Sequence, residues 1–173
     1  MVFLLASIFG VLGVIANILI YQQKSGKKLL LYKLVSDIIW ALHYFMLSAY
    51  SGAAVSVIGV CRETVFYNQD KKWAKSKLWL VFFMLCSAVS AVLTWKNPFS
   101  ILPAFASIVS IISFWRSDPK LSRILAYPIA FAMITYAITC RSYFAIFSDC
   151  MVLVSTTIGI IRFRRKQLKD VKN

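Results

Sequence analysis

Residues 36–52 read SDIIWALHYFMLSAYSG, and whether the chain turns back inside this stretch decides between seven membrane crossings and six. The apolar run up to Phe45 is followed by SAYSG at Ser48–Gly52, a cluster of small, turn-prone residues. With a turn there, apolar runs fall at 2–21, 29–48, 51–69, 77–95, 99–115, 122–140 and 143–162. A helix rises about 1.5 Å per residue, so a hydrocarbon core of about 30 Å takes roughly 20 apolar residues. The runs are close to that length. The 173 residues are 60% hydrophobic with a mean hydropathy of +0.74, which excludes an ordinary soluble domain and leaves no segment over for one.

Charge placement favours the turn. Lys24, Lys27, Lys28 and Lys33 lie at the first joint; Arg62, Lys71, Lys72, Lys75 and Lys77 at the third; Arg116, Lys120 and Arg123 at the fifth. Arg162, Arg164, Arg165, Lys166, Lys169 and Lys172 close the chain, so 18 of the 20 basic residues fall on alternate joints and only Lys96 and Arg141 on the others. Short loops rich in Lys and Arg stay cytoplasmic. The sequence therefore predicts an all-α polytopic membrane protein with seven transmembrane helices, the N-terminus outside and the C-terminus in the cytoplasm. A six-span count would scatter this bias. The first twenty residues hold no Lys or Arg, so they read as a retained span rather than a cleavable signal.

The net charge of +14 does not point to nucleic acid, because the charges follow a topogenic pattern along the loops. The run RFRRKQLK, within a basic tail at 163–173, reads as an anchor at an anionic leaflet. Cys61, Cys86, Cys140 and Cys150 show no CxxC spacing, so they suggest neither zinc nor a disulfide framework and read as small buried hydrophobes, with a Cys140–Cys150 bridge left open.

Sliding the chain on itself by 92 positions sets YQQKSGKKLL (21–30) against SFWRSDPKLS (113–122) and aligns Ser25 with Ser117 and Lys28 with Lys120. Tyr44 then falls on Tyr136, Ala53 on Ala145, Ser56 on Ser148 and Thr64 on Thr156. Composition alone supplies some identities in such a chain, so the polar matches weigh most. A repeat would divide one membrane domain into 2–69, a linker helix at 77–95 and 99–162, a 3+1+3 plan. Parallel repeats of this kind place a solute pathway at the interface between halves.

The stretch Tyr44–Arg62, read as Y-x5-Y-x-G-A-A…C-R, the segment NPFSILPAFASIVSIISFWRSDPKLSR from Asn97, and the closing GIIRFRRK together resemble the YgjV family of bacterial inner-membrane proteins. The likeness covers nearly the whole chain, and NP-x3-LP-x4-IVS is its most specific part. It implies the bacterial cytoplasmic membrane as the compartment and carries no reaction or substrate with it. Lys24-Ser25, Leu29, Trp40 and Tyr44 also resemble the KS…W…Y pattern of SWEET and PQ-loop transporters, which share the 3+1+3 plan. The chain departs from them in lacking a Pro-Gln pair in its first or fifth span, and in its third the asparagine that those sugar carriers use, which puts a sugar substrate in doubt.

Charged side chains at the centre of a bilayer-spanning helix cost about 2.5–3.5 kcal/mol on insertion scales, so they face protein or water. At 100° per residue Lys33, Asp37, Trp40 and Tyr44 share one stripe, with His43 at its edge. The candidate pathway set is Asn17, Asp37, Trp40, His43, Tyr44, Ser56, Arg62, Glu63, Ser148 and Asp149. Two readings of it stay open. In one, Asp37 pairs with Lys33, Arg62 neutralises Asp37 or Glu63, His43 bonds a carbonyl, and the set is interhelical glue in a non-transporting scaffold or lipid- or partner-binding protein. In the other, the set lines a route for a small polar solute, and Asp149, with no basic residue within a turn or two on its own helix, needs water, a proton or a partner. An enzyme is not expected from one histidine without HExxH, GxSxG or a Cys/His cluster. Neither cofactor nor metal is implied. The expected partners are the bilayer and a small polar solute, with self-association left open and nucleic acid excluded.

Overall fold

The computed structural model describes residues 2–116 and 118–170, with side chains described for 4–116 and 118–162. The side chains of the basic tail at 163–173 thus lie outside the described residues, as does Ser117. Among the described residues seven α-helices form: α1 (Val2–Gln22), α2 (Gly26–Met46), α3 (Tyr50–Tyr67), α4 (Leu78–Leu93), α5 (Ile101–Trp115), α6 (Pro119–Thr139) and α7 (Tyr143–Asp170). Five of them, α1, α2, α5 with its preceding 3-10 turn, α6 and α7, are long and apolar enough to cross a membrane. Helix α3 has 18 residues but carries Arg62 and Glu63, and α4 has only 16.

The chain does turn at Ser48. Helix α2 ends with Ser48 at a φ of 53°, while the Ala49 N–H donates to Tyr44 O at 2.9 Å and the Ser48 N–H to Phe45 O at 3.0 Å. This is a Schellman closure, whose left-handed residue is ordinarily glycine. Arg141 repeats it at the end of α6, also with a φ of 53°, where Ser142 N–H donates to Ala137 O at 3.0 Å. Gly52 serves otherwise: it lies within α3, and a Cβ there would come within 3.0 Å of the Tyr44 and Tyr136 rings.

These matching turns, like the bounds of α2 and α6, lie 93 residues apart, not the 92 at which identities align. Burial follows the same spacing. Asp37 and Ala130, Gly52 and Ala145, Gly59 and Val152, Arg62 and Ser155, and Glu63 and Thr156 are all buried, whereas 92 would set buried Arg62 against exposed Val154. A helix turns 100° per residue, so a slip of one residue moves every side chain to another face.

Packing contacts run from α1 to α2, α3, α5, α6 and α7 and from α7 back to α1, a closed ring of six helices. Alanines at the contacts, among them Ala6, Ala53, Ala104, Ala126, Ala137 and Ala145, let the helices approach closely. Helix α4 rests on α3 and α5 through Phe83, Ser87, Ser90 and Ala91, with the Ser87 and Ser107 hydroxyls 2.8 Å apart. Its other face, including Val81, Leu85 and Val92, is exposed, as a lipid-facing surface is.

Basic joints gather at one end. Lys27 pairs with Asp70, whose carboxyl the Lys27 hydrogen bond and charge hold below its ordinary value, and Gln69 Nε2 donates to Trp115 O at 3.1 Å. At the other end Lys96 Nζ donates to Ser48 O at 2.8 Å and lies 4.6 Å from the Tyr50 ring centre. The cysteines depart from expectation. All four are free, and none is buried: Cys61 and Cys150 are exposed on the outward faces of α3 and α7. A buried position on those faces would require a neighbouring helix, and the ring leaves them turned outward.

Candidate functional site

The ring surrounds a half-open cavity of about 100 Å³ to which all six of its helices contribute, and α4 none. Asn17 comes from α1, Asp37 from α2, Ser56 from α3, Ser107 from α5, Met133 from α6 and Asp149 from α7. Trp40, Tyr44 and Arg62 also line it. Ile38, Leu42 and Phe45 turn outward from the same α2 and are exposed, which is the division that the helical stripe predicts.

One wall is an ionic chain. Lys33 Nζ pairs with Asp37 Oδ1 one turn along α2, and the other oxygen of Asp37 lies 3.8 Å from Arg62 Nη2. Arg62 forks onto its neighbour Glu63, with Nε to Oε2 at 2.9 Å and Nη2 to Oε1 at 2.8 Å. Its remaining nitrogen, Nη1, donates to Ser107 O on α5 at 3.3 Å, and the guanidinium lies 5.9 Å from the Phe114 ring centre. Bidentate, charge-assisted pairing of this kind is the strong form of an ion pair. Arg62 and Glu63 are 2% and 0% exposed, so neither charge has bulk water to fall back on. Asp37 Oδ2 accepts no hydrogen bond and sits where α3 presents Gly59; a Cβ there would come within 2.2 Å of it.

A second polar set joins α1, α2 and α7. Ser36 Oγ donates to Asn17 Oδ1 at 2.7 Å, and Asn17 Nδ2 donates to Ser148 Oγ at 2.9 Å. Toward the basic end Gln22 Nε2 donates to Ser155 Oγ at 2.8 Å. Against these satisfied groups Asp149 stands apart. It lines the cavity and has neither a hydrogen bond nor an ion pair from any described residue, and Ser56 likewise makes no side-chain hydrogen bond.

The structure thus brings Asn17, Asp37, Trp40, Tyr44, Ser56, Arg62 and Asp149 together around one space and sets three of the expected residues aside. Glu63 lies behind Arg62, and Ser148 is the acceptor for Asn17. His43 is a clamp. Its Nδ1 donates to Ala6 O at 2.8 Å, which leaves Nε2 as the acceptor for the Ser142 hydroxyl at 2.8 Å, tying α1 and α2 to the turn before α7. Ser107 and Ser110 on α5 were not among the expected residues. A signal for them existed: with Ser113 they recur every three residues along α5, which places a small polar strip along one side of an otherwise apolar helix.

A second cavity, of about 290 Å³, opens at the end away from the basic joints. Lys96 and Arg141, the two basic residues that stand apart from the other 18, both line it, beside Ser48, Tyr50 and Tyr136.

Over residues 4–167 the sequence matches the Imp-YgjV family, described as bacterial inner membrane protein, and the chain belongs to that family. Its compartment is accordingly the bacterial inner membrane, in keeping with several helices apolar enough to cross it. No curated protein and no solved structure matches the chain, and the likeness to SWEET and PQ-loop transporters finds no counterpart there.

Proposed function

For this bacterial inner-membrane protein, we propose a carrier or facilitator of a small polar solute, whose pathway runs between two three-helix halves, α1–α3 and α5–α7, with α4 as the linker. All seven helices cross the membrane in this reading, α3 and α4 included. The N-terminus lies outside and the basic end faces the cytoplasm, by the positive-inside bias of the joints.

The observation that carries the proposal is the cavity lined by six helices with an unpaired carboxylate, Asp149, on its wall. A half-buried acid without a partner, inside a helix of a membrane protein, is costly in a chain that only needs to pack. The recurrence at 93 residues supports two related halves: it exchanges α1–α7 packing with α5–α3 packing and sets Ser56 opposite Asp149 in the plan. Alternating access by rocking one half on the other fits such an arrangement. The satisfied chain Ser36–Asn17–Ser148 and the His43 clamp favour a second reading, a non-transporting scaffold held by polar glue.

Uptake distinguishes the two. Cells producing the chain are expected to take up at least one small polar solute faster than cells without it, and Asp149→Asn is expected to abolish that difference at unchanged protein abundance. Unchanged uptake of every solute, with Asp149→Asn acting on abundance alone, would favour the scaffold.

A further inference from the structure

The charges around the central cavity do not cancel. Two cations, Lys33 and Arg62, face three carboxylates, Asp37, Glu63 and Asp149, and the pairs Lys33–Asp37 and Arg62–Glu63 use both cations. The surplus falls on Asp149, which lines the cavity and has no pair among the described residues. Tyr21, Trp40 and Tyr44 supply aromatic wall, with the Trp40 and Tyr44 rings 5.6 Å apart. A carboxylate without donors, in a cavity with aromatic wall, is complementary to an ammonium group, which brings several N–H donors and a positive charge.

From this juxtaposition we infer that the central cavity binds a small organic ammonium ion, with Asp149 as its counter-charge. The inference rests on the carrier reading and names its solute class. The existing ion pairs leave no free cation on the wall to hold an anion. An anion is instead matched by the outer cavity with Lys96 and Arg141, so acetate is the informative control.

Ethanolamine is the probe, and the assay leaves Asp149 intact. In a background with Cys61, Cys86, Cys140 and Cys150 replaced by serine, Ser56→Cys places a thiol on the cavity wall of the full-length protein in nanodiscs. An impermeant maleimide is expected to modify it, and ethanolamine is expected to slow the modification several-fold while sodium chloride at equal ionic strength, acetate and glycerol do not. Adding Asp149→Asn is expected to weaken that protection about tenfold or more, as loss of a charge-assisted contact does. If the thiol reacts but ethanolamine gives no protection, or protects equally with Asp149→Asn, the ammonium assignment is wrong while the pathway stands. Equal protection by sodium ion overturns it too, in favour of an inorganic cation. A thiol that reacts only after denaturation overturns the carrier reading itself, and with it this inference. Gel filtration of each variant verifies that the compared proteins are folded.

Discussion

Arg62→Leu is expected to destabilise the folded protein by about 3–5 kcal/mol, the usual consequence of stranding a buried charge. The stranded group is Glu63, fully buried, whose two oxygens both accept from Arg62. Asp37 loses its 3.8 Å contact at the same time, though Lys33 remains to it. Glu63→Leu should cost less, because Asp37 still offers Arg62 a counter-charge. The double substitution Arg62→Leu with Glu63→Leu removes both charges and should recover much of the loss, since apolar replacement of a buried pair is often tolerated. Yield of monodisperse protein and its melting temperature in detergent measure all three. Strictly additive losses would show that the two side chains do not act as a pair.

Gly59→Ala is the second substitution with a large expected effect. The added Cβ would come within 2.2 Å of Asp37 Oδ2 and 2.9 Å of its Cγ. A free carboxylate would swing aside, but this one is held by Lys33 on one oxygen and faces Arg62 with the other. Overpacking of this kind costs about 1–3 kcal/mol, and here it also disturbs the ionic chain. Shortening the acid relieves the clash, so Asp37→Ala and Gly59→Ala together should cost less than the sum of the single changes, a non-additivity expected only of residues in contact. Full additivity in melting temperature would place Asp37 away from α3.

Local periodicity carried much of this fold. The turn at Ser48, the helix bounds to within three residues and the inward stripe Lys33–Asp37–Trp40–Tyr44 all follow from hydropathy and a 100° step, except that α7 runs on to Asp170 where the hydropathy ends at 162, since a helix continues beyond its apolar residues. What the sequence could not supply was anything that depends on which helices touch. The partner of Arg62 is an example: the sequence left Asp37 and Glu63 both open, because neighbours one apart on a helix do not ordinarily face each other, and it is a guanidinium reaching sideways that makes the Glu63 contact. His43 needed Ala6 and Ser142, 37 and 99 residues away, before it could be read as a clamp. The one-residue difference between 92 and 93 has the same origin, because identities of Ser, Lys and Tyr are sparse while burial samples every position.

The central claim is that solvent and solute reach the space between the two halves. Asp149→Cys, in the cysteine-free background, tests it most directly when right-side-out and inside-out membrane vesicles are exposed to an impermeant maleimide. The account predicts modification from both sides, at rates set by how often each side opens, with total labelling equal to that of denatured protein. A thiol inert from both faces that becomes reactive only on denaturation would contradict it, and the polar residues of the ring would then be internal packing with no passage to line.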